Sequence, residues 1–118
     1  MVLVGIAATD TARDADYLAR KLAHLRVFAD ASGRMNLSAL EVQAEILLVS
    51  QFTLYGDCRK GRRPSFDSAA QPFLARELFD CVADRVRQQG LVTKTGVFQA
   101  HMQVELVNDG PVTLLLET

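Results

Sequence analysis

Apolar residues recur along this chain with two different periods. Ala15, Leu18, Leu22 and Leu25 return every three or four positions, which predicts an amphipathic helix over 12–25. Thr11 stands where an N-cap belongs, and Asp14, three residues on, completes a weak form of the capping box. Leu74, Leu78, Cys81, Val82 and Val86 trace a second helical stripe, with Pro72 in its first turn and Gly90 just past its end. Elsewhere the period is two. Val2 to Ala7 reads as an apolar strand, and Arg26 to Ala29 and Met35 to Ser38 as short extended segments around a turn at 30–33. Residues 45–55 read as the central strand. Its first part, Ile46 to Val49, is apolar on both faces; beyond it Phe52 and Leu54 face one way and Gln51, Thr53 and Tyr55 the other. After Gly90, Val92 and Lys94 alternate, and Met102, Val104 and Leu106 oppose His101, Gln103 and Glu105. Asn108-Asp109-Gly110 signals a turn, followed by Pro111 and a last strand from Val112 to Leu116.

This order of elements predicts one α/β (α+β) domain over residues 1–118, its mixed sheet curling into a barrel-like core with two main helices packed on it. A chain of 118 residues, about half of them apolar, is long enough to bury such a core. The net charge of -1 provides no global field toward nucleic acid or membrane, so any such attraction must be local. The locality is at 59–63, where Arg59, Lys60, Arg62 and Arg63 gather four of the thirteen basic residues. No apolar run reaches the length of a membrane span, no secretion signal opens the chain, and Cys58 and Cys81 lack metal or redox spacing. A reduced, cytoplasmic protein with no membrane partner is expected.

The candidate chemistry is sparse. Ser50 and Thr53 carry hydroxyls, but a hydroxyl nucleophile needs a base within reach, and His101 is the one candidate with nothing local to place it there. No Gly-x-Ser-x-Gly elbow is present. Cys58 lies beside Arg59 and Lys60, which would favour its thiolate, yet no acid or base accompanies it. Cys81 belongs to a helical stripe and reads as an inert core residue. His24 and His101 have no ligand spacing, so neither metal nor cofactor is expected. Gly110-Pro111 reads either as a plain turn or as a cis peptide, since X-Pro bonds have only a small trans preference. A buried strand with polar residues at its end, next to a cationic loop, suits an anionic substrate with a small reactive end. It equally describes an ordinary strand whose charges are solvated.

Two segments are more specific. Ser50-Gln51-Phe52-Thr53-Leu54 followed by Asp57, and Asn108-Asp109-Gly110-Pro111-Val112-Thr113, resemble the paired signatures of the D-aminoacyl-tRNA deacylases, also called D-tyrosyl-tRNA deacylases. Met35-Asn36-Leu37-Ser38, the run from Arg59 to Phe66, and His101-Met102-Gln103-Val104 extend the similarity over nearly the whole chain. The resemblance implies a homodimeric editing hydrolase that cleaves the ester of D-aminoacyl-tRNA, and of glycyl-tRNA, with sites at the subunit interface. It implies that Ser50, Gln51, Phe52 and Thr53 surround the ester carbonyl as the catalytic wall. A cis Gly110-Pro111 from the partner, with Asn108, Val112, Thr113 and Met102, would line the substrate pocket and exclude the L-form. The loop carrying Arg59, Lys60, Arg62 and Arg63 would hold tRNA phosphates. The family's N-terminal β-hairpin is expected to be lacking before Val2. That departure leaves a second reading open, a catalytically inactive dimeric RNA-binding module of the same fold.

Overall fold

The computed structural model describes residues 1–118. Its elements in chain order are β1 (Val2–Val4), α1 (Ala12–His24), β2 (Arg26–Ala29), β3 (Met35–Ser38), β4 (Ile46–Ser50), a 3-10 turn (Phe52–Tyr55), α2 (Pro72–Gln88) and β5 (Thr93–Thr95). β1, β4 and β5 form one parallel sheet in that order, with Val2 opposite Leu48 and Leu48 opposite Thr95. β2 and β3 pair separately as an antiparallel hairpin. Asp30 organises its turn, accepting the backbone N–H groups of Ser32 and Arg34 on Oδ1. The α/β class therefore holds, with parallel and antiparallel pairings kept in separate sheets.

Both helices end as the sequence predicts. Thr11 Oγ1 accepts the N–H of Arg13 at 3.3 Å, while Asp14 Oδ2 takes the Thr11 N–H at 2.8 Å and its hydroxyl at 2.7 Å. The bonds from Thr11 hold the Asp14 carboxyl below its usual range. Pro72 opens α2, and Gly90 follows its end at φ +96°, a conformation glycine takes without a Cβ penalty.

The packing turns α1 by one position from the predicted stripe. Ala15, Ala19 and Ala23 are the buried residues, and Leu18 and Leu22 flank them half-buried. Small side chains at intervals of four let α2 approach closely, and the leucines close the sides of the contact. In α2 the buried set is Leu78, Phe79, Val82, Ala83 and Val86, so Cys81 lies at the margin and Phe79, absent from the predicted stripe, is central. These side chains meet Val4, Ile6, Ile46 and Leu48 in one core cluster on a single face of the sheet.

Four expectations are corrected. β4 ends at Ser50 rather than at residue 55, because the backbone curls into the 3-10 turn; Phe52–Tyr55 no longer alternates across a sheet. The segments predicted as strands at 101–106 and 112–116 pair with nothing and form no strand. An extended segment is a strand only if a neighbour takes up its backbone groups. The sheet consequently stays open and no barrel-like core closes, since three strands of three to five residues cannot complete one. Finally, the peptide bonds are all trans, Gly110-Pro111 included, in keeping with the intrinsic preference where nothing packs against the loop. The radius of gyration is 15.1 Å, above the ~13.5 Å of a compact chain of this length.

Candidate active site at the carboxyl edge of the sheet

In a parallel sheet all strands deliver their carboxyl ends to one edge, and open α/β folds bind ligands outside it. Here that edge consists of Gly5 after β1, Gln51 and the 3-10 turn after β4, and Gly96 after β5. The ladder continues one step past the strands: the Gln51 N–H donates to Val4 O and the Gly96 N–H to Leu48 O, each at 2.8 Å. Gln51 is thereby fixed as the last paired residue of the central strand. The chain then turns, and the Leu54 N–H returns to Gln51 O at 3.3 Å. The opening N–H groups of such a turn, those of Phe52 and Thr53, have no partner within it. Had β4 run on as predicted, the sheet would have consumed them.

Close packing holds the turn in place. A Cβ on Gly5 would lie 3.0 Å from Tyr55 Cε2 and 3.2 Å from Leu54 Cβ, so the glycine lets the turn rest closely on the end of β1. Burial of Tyr55, reinforced by the negative charges of Asp10, Glu117 and Asp14, pushes its phenol up. Gly56 makes a similar contact, its Cβ position 3.1 Å from Phe66 Cε1. Within the turn the Gln51 side-chain amide donates to Thr53 Oγ1. The threonine hydroxyl thus meets an amide donor rather than a base. Ser50 is half-buried, and Phe52 and Thr53 are exposed.

The basic loop leaves the same region through a narrow neck. Asp57 and Ser65 exchange both backbone hydrogen bonds, at 2.8 and 3.0 Å, and close the intervening residues into a hairpin. Arg59 is exposed and paired with the neck. Its backbone N–H, Nε and terminal guanidinium nitrogen all donate to the Asp57 carboxylate, at 3.0, 2.9 and 2.7 Å. That pairing holds the Asp57 carboxyl below its usual range and pushes the guanidinium up. Lys60, Arg62 and Arg63 are exposed and enter no salt bridge. An open cavity of about 540 Å³ lies along Leu54, Tyr55, Gly56, Asp57, Cys58 and Arg59, where the turn meets the loop. His24 is far from this chemistry in role, with Nε2 against Gln89 Oε1 at 3.3 Å on the helical side.

Met102 is brought to the edge. Its Sδ accepts the Val97 N–H at 3.3 Å and lies 2.9 Å from where a Cβ on Gly96 would stand, beside Val49 Cγ2. Val49 is buried here on the face of the sheet away from the helices. Sequence reasoning missed Gly5 and Gly96, whose signal was only a glycine following each short strand. Asn108, Gly110, Pro111, Val112 and Thr113 are all exposed, and no hydrogen bond joins them to Ser50–Thr53. His101 is exposed and bonds to neither hydroxyl.

The fold and edge define a small α/β protein with its polar signature at the carboxyl end of a parallel sheet. The family model described as D-Tyr-tRNA(Tyr) deacylase matches residues 1–117, and the chain belongs to that family. It is 56% identical over 118 residues to the D-aminoacyl-tRNA deacylase of Geobacillus sp. (strain WCH70), covering 100% of this chain and 78% of that protein. The D-aminoacyl-tRNA deacylase of Bacillus cereus (strain B4264) is 56% identical over 117 residues, 99% of this chain and 80% of its own length. Among solved structures, c-Myc DNA unwinding element binding protein superposes with a TM-score of 0.89 at 40% identity, over 98% of this chain and 79% of that one. A probable eukaryotic D-amino acid tRNA deacylase shares the fold, with a TM-score of 0.67 at 20% identity over 77% of this chain and 54% of its own. No helix is long and apolar enough to cross a membrane.

Proposed function

We propose that this chain is a tRNA-editing hydrolase that cleaves the ester of D-aminoacyl-tRNA, with glycyl-tRNA as a further substrate, to free tRNA and amino acid. The observation that carries the reading is the 3-10 turn on the Ser50–Thr53 signature, in a member of the deacylase family. Its unpartnered Phe52 and Thr53 N–H groups are suited to hold the oxyanion that forms when water adds to the ester carbonyl. Gln51 positions the Thr53 hydroxyl, which has no base to make it a nucleophile. The substrate supplies the missing group, since the free hydroxyl on the terminal ribose stands beside the ester and can orient the attacking water.

Chirality is screened by a second copy. The exposed Gly110-Pro111 loop of one protomer enters the pocket beside Ser50–Thr53 of the other, with Asn108, Val112, Thr113 and Met102 completing the lining. A proline-stiffened backbone makes a steric wall against an L-side chain and leaves the D-direction open to many amino acids. The absence of any hydrogen bond between the two signatures within one chain, and the apolar residues of 104–115 left exposed, support a homodimer. Arg59, Lys60, Arg62 and Arg63 hold tRNA phosphates, Arg59 from its ion pair with Asp57 at the neck.

The deciding experiment is single-turnover deacylation of matched D- and L-tyrosyl-tRNA. Hydrolysis of the D-form with little attack on the L-form is expected; equal rates on both would end the chiral-screen reading. In the same assay Thr53→Ala is expected to retain appreciable activity, and D-tyrosyl-tRNA lacking the terminal 2′-hydroxyl to react far more slowly.

A further inference from the structure

Phe52 is 55% exposed, although it lies in the most constrained turn of the molecule. Its ring meets Phe66 edge to face, with centroids 5.0 Å apart and planes at 70°. Phe66 follows Ser65, at the neck of the basic loop, and its ring lies against the backbone of Gly56. The pair is therefore anchored at both ends: one ring grows from the candidate oxyanion turn, the other from the cationic hairpin. The backbone of Phe52 has a proposed role in the chemistry, whereas nothing assigned so far uses either ring. An exposed aromatic face beside cations is the combination by which proteins hold unpaired nucleotides, the bases stacking on rings while the backbone follows positive charge.

We infer that the Phe52–Phe66 pair is a stacking subsite for a base of single-stranded nucleic acid, namely an unpaired nucleotide preceding the terminal adenosine of the tRNA substrate. The inference rests on the proposed function, and the order of groups along the surface motivates it. The pair joins the 3-10 turn to the neck of the hairpin that carries Lys60, Arg62 and Arg63, so a strand with its ester at the turn and its phosphates on that loop can lay a base on it. Stacking does not read base identity, because every base offers a π-face, so this subsite suits an enzyme that acts on many tRNAs sharing one unpaired 3′ end. The contact with Phe66 leaves more than half of Phe52 open to solvent.

The test is a double-mutant cycle between protein and RNA. Binding of deacylated tRNA is measured with the parent chain, Phe52→Leu and Phe52→Tyr, each against intact tRNA and tRNA carrying one abasic nucleotide just before the terminal adenosine. The expected result is a loss of about tenfold for Phe52→Leu and a similar loss for the abasic tRNA with the parent chain. The two losses should not add, and Phe52→Tyr should restore most of the affinity. A side chain that merely supported the turn would not be coupled to a missing base. Additive losses, or equal binding of intact and abasic tRNA by the parent chain, overturn the subsite while leaving the proposed function standing. If Phe52→Leu instead weakens self-association in sedimentation and shows no coupling, the ring is a protein contact and the inference is wrong. Failure of the parent chain to bind any tRNA at low salt removes both readings together.

Discussion

Two parts of this chain carry comparable apolar patterns and meet different fates. Up to Leu91, the strands and helices bury one another around Leu48, Phe79, Val82 and Val86; after Leu91 no residue is buried at all. Yet Met102, Val104 and Leu106 alternate as regularly as any strand, and Val112 to Leu116 is almost wholly apolar. Val104, Leu106, Val112, Leu114 and Leu115 are nevertheless exposed, as is Val107 to 91%, and Met102 and Leu116 are only half-buried. The difference teaches that an apolar pattern determines which face wants burial but not where the burying surface comes from. A helix satisfies its backbone internally and needs only one apolar neighbour. A strand needs a second backbone before it exists. The first part finds its neighbours within itself; the second presents an apolar ribbon suited to another copy.

The contrast can be broken most sharply in the core. Phe79→Ala should destabilise the chain by about 3–5 kcal/mol, because a fully enclosed ring is removed and the site cannot collapse around the gap. Urea unfolding monitored by circular dichroism measures it; a loss under 1 kcal/mol would mean the core is not shared between helices and sheet.

A smaller effect tests the helix start that anchors the same region. Thr11→Ala should cost about 1 kcal/mol, since both bonds of its hydroxyl, accepted from the Arg13 N–H and donated to Asp14 Oδ2, disappear. It should also alter the acid response. The folded pKa of Asp14 is depressed relative to the unfolded chain, so its contribution is full above the unfolded value of about 3.9 and fades as pH falls through the folded value. Parent and variant should therefore converge in stability as the pH is lowered below about 4. A constant difference between them across that range would show that Asp14 acts independently of Thr11.

At the join between the two parts, Gln99 sits at φ +62°, in the left-handed region that side chains other than glycine's disfavour. Gln99→Gly should stabilise by about 0.5 kcal/mol, the αL cost of about 1–2 less the ~0.5–1 of extra freedom that glycine gives the unfolded chain. A destabilisation in thermal melts would mean the amide makes a contact that outweighs the strain. The smallest effect belongs to the ribbon itself. Val107→Ser should change stability by no more than about 0.5 kcal/mol in dilute protein. If the loss grows with protein concentration, the ribbon is covered by a second copy, as the proposed dimer requires.

The elements with local signals were legible in the residues. Thr11 and Asp14, Pro72 and Gly90 mark helix ends through side-chain bonding and backbone geometry that depend on neighbours a few positions away, and both helices lie where those residues put them. The Ser50–Thr53 and 108–113 signatures stand out in the sequence and agree with the family to which the chain belongs. The rotation of α1 onto its alanines was not legible, because it depends on how closely α2 approaches; nor was the central place of Phe79. The end of β4 at Ser50 was equally hidden. Alternation from Gln51 to Tyr55 is compatible with a strand, and it was the packing of Tyr55 on Gly5 and of Phe66 on Gly56 that accompanied a turn instead. Tertiary structure also decided that Arg59 is ion-paired with Asp57 while Lys60, Arg62 and Arg63 enter no salt bridge, although all four remain exposed. By itself the sequence determined what each segment can satisfy locally: caps, turns and the periods of its apolar faces. Only the fold decided which backbone N–H groups remain unpaired and which apolar faces remain uncovered, because both are set by residues distant along the chain that arrive, or do not, at the same edge of the sheet.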